Sequence, residues 1–395
     1  MKRLSLALVL SPLLALNLLA GPGENKFPKL ALYERFVAID NASGWPRLTL
    51  LPDGTITCLI WPHPVHGYTE GAVECWIGKD GGKFWSRAGV PVPGRPGINR
   101  MNVAGGLTGD GRLIALLGGW DKRLHPAGWQ PDPSKPAPPQ GYFDKAGARS
   151  INPVPAISPD GGRTWEQFSE IAALPPGKTS LIPFGAIAPL QDGALGVMMY
   201  QRLEDATDDH DRRRAHFFTS ADDGATWTQR SQLPTGTNPS ETTWIRLNNG
   251  DLYAAVRMIF KDRHLTAIRS RDNGRSWTVE GPLSLPNGNP ADFTRLPDGR
   301  IVLSYGTRNQ GDWAIYVRIA DAEASYWSAP IRLVGMEGST DEPNQPSPRR
   351  DGGYPSTVFL KDGTLVTAYY NRGMPSHQRY HVGVVRWAIP ENVAK

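Results

Sequence analysis

The feature that most restricts how this chain can fold is a hairpin turn that returns six times. Leu51-Pro52-Asp53-Gly54, Thr108-Gly109-Asp110-Gly111, Leu190-Gln191-Asp192-Gly193, Asn248-Asn249-Gly250, Leu296-Pro297-Asp298-Gly299 and Leu360-Lys361-Asp362-Gly363 each lie between stretches of alternating apolar residues. Asp-Gly or Asn-Gly in that setting signals a tight β-hairpin, because the turn needs residues that tolerate a left-handed backbone. The central residues are 57, 82, 57, 49 and 64 positions apart. That period matches a four-stranded sheet with its loops, repeated around a ring as the blades of a β-propeller. A length of 395 residues alone would suggest two or three domains, but the repeats argue for one.

A second element follows most of the hairpins. It reads Ser158-Pro159-Asp160-Gly161-Gly162-Arg163-Thr164-Trp165, then Ser220 to Trp227, then Ser270 to Trp277, with a weaker copy from Gly78 to Trp85 and a degenerate one ending at Trp327. Its aspartates read as structural, since Asp beside Gly bonds its own backbone while Thr and Trp tuck under the turn. Strands in a blade alternate in direction, so turns and boxes fall on one face of the disc. The other face receives the unusual loops: Trp61 to Glu70, Gly118 to Asn152, Gln201 to His216, Thr307 to Trp313 and Asn371 to Tyr380. That face is where binding is expected.

The last hairpin is followed by one clear strand, Val382 to Trp387, so the sixth blade lacks an outer strand. Phe36-Val37-Ala38-Ile39 is expected to supply it and close the ring. The fold class expected is all-β: a single six-bladed propeller over residues 33–388, closed by an N-terminal strand, after a signal peptide (1–20) and a short segment (21–32).

Counting eight residues either side of each turn centre gives Trp45/Trp61, Asn102/Gly118, Phe184/Tyr200, Glu241/Arg257, Pro290/Gly306 and Tyr354/Tyr370. These pairs should ring the mouth of the central channel. Aromatic platforms with one acid, one arginine and a tyrosine pair suit a sugar site, although aromatics also fill cores.

Met1-Lys2-Arg3 followed by an apolar run to Ala20 has the form of a secretory signal peptide. Pro12 and Asn17 interrupt a run already short for a membrane span, so no stable span is expected after cleavage. The mature chain is expected to be secreted or periplasmic. Its net charge of +5 mildly favours an acidic ligand, and no basic stripe argues for nucleic acid. The two cysteines, Cys58 and Cys75, fall on adjacent strands, which leaves a disulfide and two buried thiols both open; neither the cysteines nor anything else calls for a metal or cofactor.

The box resembles the Asp-box, Ser-x-Asp-x-Gly-x-Thr-Trp, of the sialidase (neuraminidase) superfamily of BNR-repeat propellers. In that family the fourth blade carries a Glu hairpin ending in Arg, matched here by Glu241 and Arg257. The sixth carries Tyr-Ser ahead of Leu-x-Asp-Gly, matched by Tyr354-Pro355-Ser356 and Asp362-Gly363. The resemblance implies an exported, retaining exo-glycosidase acting on a terminal acidic sugar of a glycan. Tyr354 would be nucleophile and Glu241 would take its proton, because a neutral phenol is not repelled by a sugar carboxylate. Arginines would clamp that carboxylate. Glu70 would protonate the leaving oxygen, with Asp121 in reserve, and Trp61 would offer a platform.

The chain departs from the pattern. The family's first arginine stands two residues before a Pro; with Pro46 as that Pro the position is Gly44, and Arg47 follows instead. The third clamp position falls near Asp312, with Arg308 close by, and Tyr370 replaces a supporting Glu. Arg308 and Arg372 recur at one offset in their blades, which would allow another anion-binding arrangement. Trp-Pro-Arg also resembles propellers acting on other sugars, such as exo-arabinanases, where Glu241 would itself be nucleophile. His63, His66 and Tyr68 leave open a uronate lyase, and a non-catalytic glycan-binding propeller is a further alternative. Export is checked by mass spectrometry of the protein from its native host: the mature chain should begin near Gly21, and an intact Met1 would contradict the reading.

Overall fold

The computed structural model describes residues 33–64, 69–121, 149–174, 180–203, 213–236, 238–259, 264–309, 312–336, 351–374 and 377–389. All regular elements among them are β-strands, arranged as six four-stranded antiparallel blades, with one further short strand, Gly71–Ala72, paired in parallel to Ile98–Leu107. The innermost strands are Arg47–Leu50, Ile98–Leu107, Leu181–Pro189, Pro239–Arg246, Gly288–Arg295 and Gly352–Phe359. Each is joined to the second strand of its blade by one of the six repeated turns. All six are closed alike, by the glycine N–H bonding to the carbonyl three residues earlier: Gly54 to Leu51, Gly111 to Thr108, Gly193 to Leu190, Gly250 to Leu247, Gly299 to Leu296 and Gly363 to Leu360.

The ring closes as the sequence predicts. Tyr33–Asp40 pairs antiparallel with His377–Trp387 and becomes the outer strand of the sixth blade. Ile39, Leu48, Ile56, Cys58, Val358, Val366 and Val384 then form one apolar layer between the first and sixth blades. Each fully buried side chain of this size contributes about 1.5–3 kcal/mol. The second and third blades are joined more closely. Their inner strands pair in parallel, Ala104 to Gly106 against Gly185 to Ile187, so the two blades form one sheet. A Cβ at Gly106 would lie 1.8 Å from the Ile187 carbonyl oxygen, so only glycine permits the approach.

The box aspartates are structural. Asp160 accepts from the Ser158 hydroxyl (2.9 Å), the Thr164 N–H (2.8 Å) and the Thr164 hydroxyl (2.7 Å), while the Trp165 indole donates to the Gly162 carbonyl (3.0 Å). Asp222 and Asp272 bond Thr226 and Ser276 in the same way. Neighbouring blades interlock on this face: Arg112, at the second blade's turn, reaches Asp223 in the third blade's box (3.4 Å), and Arg230 of the third blade donates to the Asn273 carbonyl in the fourth blade's box (2.9 Å). It is the opposite face that is left for a ligand.

Cys58 and Cys75 are both free and buried. Register explains why they do not bridge. Cys58 stands opposite Trp76, and Cys75 opposite Leu59. Side chains alternate along a strand, so the two thiols point to opposite faces of the blade. Cys58 packs toward the sixth blade and Cys75 toward the second. Among the described residues no helix is long and apolar enough to cross a membrane.

Two glycines with similar backbones separate strain from packing. Gly54 (φ +88°) has nothing within 4 Å of an added Cβ, whereas at Gly162 (φ +99°) the Cβ would lie 2.3 Å from the buried Cys75 Sγ. Gly54→Ala should cost only the roughly 1–2 kcal/mol of left-handed strain. Gly162→Ala should cost at least about 1 kcal/mol more through overpacking. Urea denaturation of the two variants measures the difference, and equal losses would mean that the Cys75 contact is relieved without cost.

Candidate active site

Glu241 and Tyr354 come together because the inner strands carry a β-bulge at their ligand-face ends. In the fourth blade the register runs Thr242 opposite Val256, then slips to Pro239 opposite Met258. In the sixth it runs Ser356 opposite Ala368, then slips to Gly353 opposite Tyr370. The second and fifth blades slip by one residue at corresponding places, whereas the third slips by two nearer its turn, between Phe184 and Ala188. A bulge re-aims the side chains within it. Glu241 and Tyr354 both sit in theirs, and Tyr354 takes φ +53°, a left-handed backbone that is uncommon for a bulky residue.

Three side chains meet at the mouth. The Tyr354 hydroxyl donates to Glu241 Oε1 at 2.8 Å. Arg257 Nη1 donates to the Tyr354 oxygen at 2.9 Å and lies 3.1 Å from each Glu241 oxygen. Burial alone would raise the Glu241 carboxyl, but the Arg257 charge and the hydrogen bonds from Ser240 and Tyr354 outweigh it and bring it down to about 2. Burial and the Glu241 charge push the Tyr354 phenol well above its ordinary value, against the opposing pull of Arg257 and Arg308. The site thus holds a neutral phenol, a carboxylate and a guanidinium in mutual contact.

Two cavities flank this trio. One, of about 110 Å³, is lined by Trp45, Met101, Asn102, Trp120, Phe184 and Tyr200 together with Glu241 and Tyr354. The other, of about 240 Å³, is polar and is lined by Arg257, Arg308, Asn287 and Asn289 among others. Arg308 lies 6.0 Å from the Tyr354 ring centre and 5.5 Å from that of Trp313. It is anchored through Nη2 to the Gly352 carbonyl (3.0 Å) and the Tyr370 hydroxyl (3.4 Å), and stands 3.8 Å from Asp351. Asp351 in turn accepts from Tyr370 (2.6 Å) and Tyr380 (2.8 Å).

The remaining sequence-predicted residues are distributed unevenly. Arg47 lies below Tyr354, lining a small recess of about 10 Å³ with it, and is ion-paired to Asp292. Arg372 stacks on Tyr380 at the exposed rim (5.6 Å). The Glu70 carboxylate, also exposed, accepts from the Gly97 N–H (2.6 Å). Asp121 is buried at the end of its strand beside Trp120. Trp61 is a correction: it is fully buried in the aromatic core with Trp45 and Tyr370, so it presents no face to a sugar. Trp45, Trp120, Phe184 and Tyr200 supply the aromatic wall instead.

The paired ring positions need correction too. Asn102 does face Gly118, but Tyr200 pairs with Ile182, and Tyr370 with Gly353. Counting from the turn fails beyond a bulge. Trp120, Asp292 and Asp351 escaped the sequence reading; a carboxylate in the middle of an inner strand, as in Pro290-Ala291-Asp292-Phe293, was the available signal for Asp292. Among the described residues no group of three or more His, Cys, Asp or Glu could hold a metal ion.

The fold is shared with proteins of known structure. Over 90% of this chain and 98% of theirs, it matches a protein of unknown function from Dyadobacter fermentans at 21% identity, with a TM-score of 0.71. A Hadza microbial sialidase matches over 88% of this chain and 66% of its own, at 17% identity and a TM-score of 0.62. The intramolecular trans-sialidase from Ruminococcus gnavus matches over 90% and 97%, at 14% identity and a TM-score of 0.62. No curated protein matches the chain in sequence. The family model described as BNR repeat-like domain matches residues 129–367, more than half of the chain. With six turns and their boxes, the chain belongs to the BNR repeat-like domain family, and its ring of blades shares the fold of the sialidase structures.

Proposed function

We propose that the protein is an exported retaining exo-glycosidase that removes a terminal sugar from a glycan through Tyr354 and Glu241. The observation that carries this reading is the 2.8 Å contact between the Tyr354 hydroxyl and Glu241, with Arg257 on the same oxygen. A phenol with a raised pKa is a poor nucleophile at neutral pH unless a base accepts its proton as it attacks. Glu241, ionised and in contact, is that base. Tyr354 Oη bonds the anomeric carbon as the glycosidic C–O bond breaks, and its proton passes to Glu241. Water then attacks the anomeric carbon, losing its proton to the carboxylate left by the acid that protonated the leaving oxygen, and as the glycosyl–tyrosine bond breaks Glu241 returns its proton to the phenolate oxygen. Glu70, exposed on the ligand face, is proposed to protonate the leaving oxygen.

An acidic sugar is favoured by the cavity between Arg257 and Arg308, where a carboxylate on the sugar would find two guanidinium groups. A neutral sugar is the second reading. Each of these arginines already has a carboxylate near it, Glu241 at 3.1 Å and Asp351 at 3.8 Å, so the four groups sum to no net charge.

Turnover of acidic and neutral aryl glycosides tests both. Tyr354→Phe and Glu241→Gln should each lower kcat by at least about 100-fold. Arg308→Ala should raise KM for acidic glycosides and leave neutral ones nearly unchanged. If Tyr354→Phe is fully active and Glu241→Gln is dead, Glu241 is the nucleophile; if all variants match wild type, the trio is not the site of chemistry.

The pH profile gives a further check. Glu241 acts as base only when ionised, so its contribution is lost as pH falls through about 2, and Tyr354 remains a phenol past its ordinary value near ten. With an aryl leaving group that needs no protonation, kcat/KM should be flat between about pH 4 and 9. An acid limb near pH 5 that disappears in Glu241→Gln would contradict the assignment.

A further inference from the structure

We propose that Asp292, held by Arg47, is a positioning residue that keeps Tyr354 in its left-handed, attack-ready conformation by way of Ser356. The inference rests on Tyr354 being the nucleophile. It reassigns Arg47 from substrate binding to the support of that nucleophile.

The argument begins at the bulge. Tyr354 occupies a backbone region that a tyrosine adopts only where its surroundings impose it. On its N-terminal side stands Gly353, also with positive φ (+114°), which imposes little. Apart from the contacts of the Tyr354 ring and hydroxyl themselves, the constraint on the backbone comes from the C-terminal side, where the strand recovers its register at Ser356. There the Ser356 hydroxyl donates to Asp292 Oδ2 at 2.7 Å, and the Thr357 N–H donates to the same oxygen at 3.2 Å. Ser356 Oγ also accepts from the Leu48 N–H at 2.9 Å.

The carboxylate that holds them is itself fixed. Asp292 is 3% exposed, and its other oxygen is ion-paired with Arg47, whose Nε donates to the Gly105 carbonyl at 3.0 Å. Groups from the first and fifth blades thus bind the two residues that follow Tyr354-Pro355, and the second blade holds Arg47 behind them. The same side chains line the recess directly beneath the Tyr354 ring. Arg47 is satisfied from below by a carboxylate and a carbonyl, which suits a strut better than a ligand-binding group.

The substitution that removes least is Ser356→Ala, which deletes one hydroxyl. It should lower kcat about 10- to 100-fold, the scale of loss from a small misplacement of a reacting group, with KM within about threefold of wild type. Ser356→Thr, which restores a hydroxyl, should recover most of the loss. Asp292→Asn should behave like Ser356→Ala, and because it breaks a buried ion pair, Ser356→Ala is the deciding variant if Asp292→Asn does not fold. A crystal structure of Ser356→Ala should show Tyr354 out of its left-handed conformation, or its hydroxyl more than about 3.5 Å from Glu241.

An unchanged trio together with unchanged kcat in Ser356→Ala, while Tyr354→Phe is inactive, overturns the inference and leaves the proposed function standing. A fully active Tyr354→Phe overturns the proposed function; the Tyr354 conformation in the Ser356→Ala crystal then still decides whether Asp292 and Ser356 hold that backbone.

Discussion

Closure of the ring is the constraint on which everything else in this molecule depends. Until Tyr33–Asp40 lies against His377–Trp387, the sixth blade is a three-stranded sheet with an open edge. Closed, the six blades hold their inner strands around one narrow axis. That geometry lets Glu241 and Tyr354, 113 residues apart, share a hydrogen bond. No local element of the chain could bring them together; the circular arrangement does, and the apolar layer between first and last blades holds it shut.

Within that frame the trio is an electrostatic compromise. Glu241 alone in a buried mouth would resist ionisation, and Arg257 alone would be an unpaired buried cation. Together they stabilise each other's charge, and the phenol that touches both stays neutral because burial, and then the carboxylate beside it, oppose a second negative charge. The proton therefore rests on the phenol, and Glu241 accepts it only as the phenolic oxygen forms its new bond and loses its basicity. The left-handed backbone at Tyr354 is the conformational cost of that placement, about 1–3 kcal/mol for a residue of this kind.

Much of this was legible in the residues. The six Asp-Gly or Asn-Gly turns are governed by local backbone chemistry, and local chemistry is what a sequence displays most openly. The box aspartates were read correctly for the same reason. Hairpin counting placed Asn102 opposite Gly118 and joined Glu241 to Arg257, but it misplaced Tyr200 and Tyr370. Those strands carry extra residues, and nothing in Gly352-Gly353-Tyr354-Pro355 announces how many lie opposite the partner strand. Trp61 illustrates a different limit: whether an aromatic faces a ligand or a core depends on which neighbouring blade covers it. Asp292 and Asp351 were missed because their partners, Arg47, Ser356, Tyr370 and Tyr380, come from other strands and, for Asp292, from other blades.

The disposition of the two cysteines reaches beyond the first blade. Each thiol is sealed in a separate apolar layer, and burial pushes both upward, Cys75 to about 12. The reactive thiolate is thus scarcely populated in either, and the Cys75 sulfur has the backbone of Gly162 pressed against it. An oxidant finds little to attack and a reductant finds nothing to cleave. The protein's architecture is thereby indifferent to the redox state of its surroundings, and no covalent staple has to form, or to form correctly, before the blades can assemble.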